Sequence, residues 1–184
     1  MRLPDGYTRD EMLSLDLARH AQDLVFYGKT GRGKTHLATA LGMLAVDKGM
    51  DVGFLPTAGL VLQLGKAKRD GNPDNLPKDI SKADLLILDE FGHAPFDIDG
   101  ARLLYQVTAS SYERRSIILT TNIEFSKWGT VFADDKLAAA IIDRIVHHER
   151  LIEFTGPSHR IGEALMFGKN QITPDFLRTF GFRV

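Results

Sequence analysis

The chain has 184 residues, 43% of them hydrophobic and none of them cysteine, and a formal net charge of −1. That length suits one domain with a buried core. The absence of thiols excludes a disulfide scaffold and cysteine catalysis. No apolar run reaches the roughly eighteen residues of a membrane span, and the N-terminus lacks a signal-peptide core, so the expected setting is cytoplasmic, with no membrane partner. A near-neutral chain has no attractive field for nucleic acid, so any such partner must be met by a local basic patch.

In chain order, Met1 to Gly6 reads as a lead-in, and Thr8-Arg9-Asp10-Glu11 fits a capping box. Met12, Leu13, Leu17 and Ala18 then predict a short amphipathic helix. Leu24-Val25-Phe26-Tyr27 is a buried strand. The next eight residues, GKTGRGKT from Gly28 to Thr35, fit the phosphate-binding pattern G-x-x-x-x-G-K-[ST]. Gly28, Gly31 and Gly33 let the backbone curl round an anion, so that N–H groups along Lys29, Thr30, Arg32 and His36 face phosphate at a helix start. Lys34 suits the β- and γ-phosphates, and the Thr35 hydroxyl suits Mg²⁺. A glycine-rich turn alone would explain the composition, but strand, loop and helix stand in the order phosphate binding requires, with Leu37, Leu41 and Leu44 continuing one helical face.

Val52 to Leu55 predict a second strand, and a helix follows with Leu60, Val61 and Leu64 inward. Its end carries Lys66, Lys68 and Arg69, readable as a solvated helix end complementing the dipole or as DNA-phosphate contacts. The turn-rich DGNPDNLPKD comes next. Asp84 to Glu90 is the second decisive stretch: four large aliphatics fit a parallel strand buried on both faces. Two carboxylates follow at the edge where such sheets bind ligands. Asp89 is placed for the Mg²⁺ shell and Glu90 for orienting or deprotonating a water at the γ-phosphate.

A helix from Asp99 to Tyr112 is closed by Arg114 and Arg115, a second candidate pair for DNA. Ser116 to Thr120 form another buried strand leading to Asn122, which suits either a γ-phosphate contact or a turn. Asp134 or Asp135 caps a helix over about 136–147, with Leu137, Ile141 and Ile145 on one stripe. Arg144 near its end reads either as an ion-pair partner of Asp143 or Glu149 or as an arginine offered to a neighbouring subunit's nucleotide. The adjacent His147 and His148 diverge on a helix and make a poor metal pair. Leu151 to Phe154 give the last strand, and Thr173-Pro174 starts a tail helix carrying Phe176, Leu177 and Phe180.

The stretches GKTGRGKTHLATALG, DLLILDEFG, SYERRSIILTTN, FSKWGTVFADDKLAAAIIDRIVHH and FTGPSHR together resemble the ATPase domain of the IstB/DnaC family, a branch of the AAA+ ATPases. WGTVFADDKLAAAIIDRIVHH resembles the insertion-sequence helpers more than the helicase loaders. The resemblance implies an α/β P-loop NTPase fold of the AAA+/ASCE type: a three-layer sandwich around a central parallel five-stranded sheet, without a separate helical lid. In it, the Asn122 strand lies between the Gly28 and Asp89 strands. It also implies three segments: a lead-in over 1–22, the ATPase domain over 23–166 and a tail over 167–184. By family role, Asn122 becomes sensor 1, Arg144 the arginine finger acting in trans and Arg160 a sensor-2-like arginine. Family members carry a further N-terminal region, whereas about twenty residues precede the first strand here. The expectation is therefore an excised core, an alternative start or a truncated gene.

The function implied is a Mg²⁺-dependent ATPase that assembles with ATP as a homo-oligomer on DNA and activates a transposase. Two alternatives stand beside it: a replicative helicase loader with the same core, and a nucleotide-gated binding module with little turnover.

Overall fold

A computed structural model describes residues 1–71, 80, 82–93, 95–146 and 149–158. The expectations for the turn-rich 72–79, His147 and His148, Arg160 and the tail helix lie outside the described residues. Five strands form one parallel sheet: β1 (Asp23–Tyr27), β2 (Val52–Pro56), β3 (Leu85–Asp89), β4 (Ser116–Thr121) and β5 (Glu149–Glu153), in the spatial order β2-β3-β4-β1-β5. The strand leading to Asn122 therefore lies between those leading to Gly28 and ending at Asp89, as the resemblance implied.

Helices α1 (Arg9–Ser14), α2 (Asp16–Arg19) and α3 (Lys34–Asp47) precede β2, and α4 (Thr57–Arg69) links β2 to β3. Next come α5 (Ile98–Ser111), a 3₁₀ turn (Phe125–Lys127), α6 (Trp128–Phe132) and α7 (Asp135–Val146). The period-2 alternation of strands sends side chains to both faces of the sheet. Leu24, Phe26, Leu85 and Ile87 meet Met12, Leu15, Ala38 and Leu41 on one face. Val25, Leu86, Leu88 and Leu119 meet Leu60, Leu104, Ile141 and Ile145 on the other. Helices on both sides of a parallel sheet make the three-layer sandwich expected from strands that read as unbroken aliphatic runs.

The capping box forms as read. The Thr8 N–H donates to Glu11 Oε2 at 2.7 Å, and the Glu11 N–H donates to Thr8 Oγ1 at 3.2 Å. These bonds to Thr8 hold the Glu11 carboxyl below the usual carboxylate range. The expected single helix after it differs. Leu15 takes a left-handed φ of 59°, breaking the segment into α1 and α2. Met12, Leu15 and Leu17 do not share one 3.6-residue face, and the break turns all three inward while Leu13 stays exposed. Elsewhere the boundaries of the expected elements move by one residue, or by two at the start of β5, which begins at Glu149 rather than Leu151. Asp97 caps α5 through the Gly100 N–H at 2.7 Å, and Asp134 caps α7 through the Leu137 N–H at 2.9 Å. No helix among the described residues is long and apolar enough to cross a membrane.

Candidate nucleotide site

The loop between β1 and α3 sits at the edge where the strands end. Gly28, Gly31 and Gly33 have φ of 149°, 80° and 91°, backbone that favours glycine. Gly28 is fixed by space as well, since a Cβ there would lie 2.5 Å from the Phe154 carbonyl oxygen. Arg32 Nη1 donates to that same oxygen at 3.0 Å, seating the loop on the end of β5. Lys34 Nζ turns back onto the loop, donating to the carbonyls of Gly28 and, at 3.1 Å, Lys29. Its ammonium is thereby held against the loop's own carbonyls, and Lys34 lines the cavity beside the loop.

β3 delivers the acidic pair. Asp89 is buried, and its Oδ1 accepts from Thr35 Oγ1 at 2.9 Å and from Thr120 Oγ1 at 2.6 Å. The main chain of Asp89 is fixed as well, since Thr57 Oγ1 donates to its carbonyl at 2.8 Å. Glu90 leaves the strand with a left-handed φ of 56°, a conformation strained for a residue with a Cβ and held only by its surroundings. Those surroundings are visible: its N–H donates to Thr120 Oγ1 at 3.0 Å, and the Phe91 N–H donates to the Thr120 carbonyl at 2.8 Å. The Phe91 ring is fully buried against Trp128 and Phe132, with centroids 4.8 and 5.7 Å away. The aromatic cluster thus anchors the residue after Glu90 and leaves the glutamate itself exposed to the cavity.

That cavity, about 560 Å³, is lined by residues 30–36 of the loop and α3, by Glu90 and His93 after β3, and by Thr120, Thr121 and Asn122 at the end of β4. Asn122 is thus on the cavity wall. His93 is brought there by a turn in which its N–H donates to the Glu90 carbonyl at 3.1 Å. His93, Thr120 and Thr57 were not singled out from sequence. The run of polar residues closing β4, Thr120-Thr121-Asn122, was the available signal for Thr120.

The remaining candidates lie apart. Arg144 is not on the cavity wall. It occupies the last turn of α7, and its guanidinium carbon lies over the Tyr112 ring, 5.0 Å from the centroid. Tyr112 directly follows α5 and precedes β4, while β5, which α7 leads into, starts level with the start of β1. Both therefore sit where the strands begin, the edge opposite the loop. α4 crosses the first turn of α5, where a Cβ on Gly100 would press on Val61, and Lys68 reaches Asp99 at 3.6 Å. Lys66, Lys68 and Arg69 thus lie near the start of α5, whereas Arg114 and Arg115 follow its end, about 20 Å away at 1.5 Å per residue. The two basic groups do not form one patch. Arg115 is half-buried, and burial lowers its guanidinium below the ordinary arginine value, with Arg114 adding to the effect.

A glycine loop between a strand and a helix, facing an aspartate–glutamate pair on a parallel sheet, defines a P-loop NTPase fold. A family model described as IstB-like ATP binding protein matches residues 5–165, and the chain belongs to that family. It is 41% identical over 151 residues to an insertion sequence IS232 putative ATP-binding protein from Bacillus thuringiensis subsp. berliner, covering 82% of this chain and 60% of that one. It is 40% identical over 153 residues to the insertion sequence IS21 putative ATP-binding protein of Pseudomonas aeruginosa, covering 83% and 58%. The chain spans about three fifths of the length of these relatives. A crystal structure of the DnaC helicase loader superposes with a TM-score of 0.63 at 22% identity, covering 82% of this chain and 95% of that one, a likeness of fold.

Proposed function

We propose that this domain binds and hydrolyses Mg·ATP as the nucleotide-driven helper of a DNA transposase. The observation that carries the reading is the Thr35 hydroxyl on Asp89 Oδ1 at 2.9 Å, beneath a loop whose backbone and Lys34 face an open cavity. A hydroxyl and a carboxylate are hard oxygen donors, the set that suits Mg²⁺ shared with substrate phosphates. In this reading Thr35 and Asp89 hold the ion, which when bound neutralises charge on the β- and γ-phosphates. Lys34 and the N–H groups from Lys29 to His36 hold the phosphates. Glu90 takes a proton from the attacking water. Asn122 orients the γ-phosphate or that water. Arg144, at the far edge of its own domain, serves a neighbouring copy's nucleotide. Arg160, outside the described residues, is assigned to the nucleotide by family resemblance alone.

Identity of about two fifths to insertion-sequence ATP-binding proteins supports a transposase as the partner over a helicase. The test of the nucleotide site is Lys34→Ala. That change should abolish tight ATP binding while leaving the unfolding temperature near that of the parent, because Lys34 is the partly exposed first residue of α3, whose charge serves the phosphates. Equal ATP affinity in parent and variant would remove the loop from the account. Partner choice is tested by asking which of a transposase and a replicative helicase co-purifies with the ATP-bound protein.

DNA contact is assigned to the exposed Lys66, Lys68 and Arg69 first, and to Arg114 and Arg115 second. Lys68 already pairs with Asp99, but an ion pair this exposed is worth at most about 1 kcal/mol and leaves the ammonium available to phosphate. Each lost phosphate contact should flatten the plot of log affinity against log salt by nearly one unit on duplex DNA. Changing Lys66 and Lys68 to Glu should weaken binding with little dependence on sequence. An unchanged salt slope would leave these residues as a solvated helix end.

A further inference from the structure

We infer that Thr120 is a positioning residue of the hydrolytic site, its single hydroxyl holding the magnesium-side aspartate and the water-side glutamate in register. The inference rests on the Mg·ATP reading of the cavity. Thr120 lies on β4, the strand beside β3, and is 1% exposed. A threonine hydroxyl has one proton to give and lone pairs to receive. Here the proton goes to Asp89 Oδ1 at 2.6 Å, within the range of charge-assisted O–H···O⁻ bonds, and the oxygen accepts the Glu90 N–H at 3.0 Å. One buried atom therefore touches both consecutive residues on which the two halves of the chemistry depend.

The two bonds have different consequences. Asp89 Oδ1 receives protons from two sides, Thr35 and Thr120, which fixes the rotation of the carboxylate before any ion arrives. Outer hydrogen bonds of this kind orient metal-binding carboxylates and set their affinity. The bond from Glu90 supports a backbone that has left the strand at φ 56°. Removing its acceptor strands a partly buried N–H and frees the turn that aims the carboxylate. Valine copies the shape of threonine without the hydroxyl, whereas serine keeps the hydroxyl without the methyl, so the two substitutions separate hydrogen bonding from packing.

The experiment measures ATP affinity with and without Mg²⁺, together with the Mg²⁺ dependence of turnover, in the parent, Thr120→Val and Thr120→Ser. Thr120→Val should bind Mg²⁺-free ATP like the parent, because the loop is untouched. It should lose about tenfold or more of the gain in affinity that Mg²⁺ brings, and need correspondingly more Mg²⁺ for half-maximal turnover. Thr120→Ser should follow the parent in both. If Thr120→Val does not fold, Thr120→Cys, similar in size and a poor donor, should show the same shift in Mg²⁺ dependence. Parent-like Mg²⁺ dependence in the hydroxyl-free variant, or equal defects in Thr120→Val and Thr120→Ser, would overturn the inference. A parent chain that binds no ATP at all would instead overturn the reading of the cavity.

Discussion

Glu90→Gln should keep the binding of Mg·ATP and lose turnover by about a hundredfold or more, the usual range for a lost acid–base group. The amide has the size of the carboxylate and still forms hydrogen bonds, but it cannot take the proton of an attacking water. The backbone of residue 90 is held independently of that side chain, by the Thr120 hydroxyl and by the Phe91 ring packed on Trp128 and Phe132. The substitution should therefore change chemistry without moving the turn. Lys34 and Thr35 are on a different element, so nucleotide affinity should stay close to that of the parent. The measurement is a pair: equilibrium ATP binding and steady-state phosphate release on the same preparation. Unchanged phosphate release would transfer the role of base to another group on the cavity wall, with His93 the nearest in sequence.

Arg144→Ala should leave ATP binding by the isolated chain nearly unchanged and reduce assembly-dependent turnover by roughly a thousandfold or more, the scale of an arginine supplied in trans. Two local explanations compete. In the first, Arg144 only stacks on Tyr112, a cation–π contact worth roughly 0.5–1 kcal/mol when exposed. In the second it pairs with a nearby carboxylate, also worth at most about 1 kcal/mol. Both predict a small change in stability and none in turnover. The trans reading predicts that the rise of specific activity with protein concentration or with DNA disappears. It also predicts rescue on mixing Arg144→Ala with Lys34→Ala, because one copy then offers an intact loop and the other an intact arginine. Full activity of Arg144→Ala by itself, with no gain on mixing, would return the residue to its stacking role.

The parts legible in the sequence were those whose chemistry is local. The loop from Gly28 to Thr35 declares itself because two glycines, a lysine and a threonine must stand at fixed offsets for the backbone to wrap phosphate. The Leu85–Asp89 strand declares itself because a strand buried on both faces has no polar alternation. The place of β4 between β1 and β3 followed from resemblance rather than periodicity, which carries no information about neighbours. What escaped is held by contacts distant in sequence. Thr120 meets Asp89 across 31 positions, and nothing in the run Ser116 to Thr121 separates a hydroxyl aimed at a carboxylate from one capping a strand. The stacking of Arg144 on Tyr112 is of the same kind. The break between α1 and α2 is hidden for the opposite reason: a single left-handed residue, Leu15, resets the helical phase, and no glycine marks the place. α6 was passed over because five residues are too few for a periodic signal.

The central claim is that the loop from Gly28 to Thr35 grips the phosphates of a nucleotide, with Mg²⁺ shared between Thr35 and Asp89. Titration calorimetry of the parent chain with ATP, ADP and AMP, each with and without Mg²⁺, tests it most directly. The account predicts one saturable site per chain for ATP and for ADP, tightened by Mg²⁺, and weak or undetectable binding of AMP, which lacks the β-phosphate that the proposed site grips. AMP binding as tightly as ATP, or affinity for ATP indifferent to Mg²⁺, would contradict it.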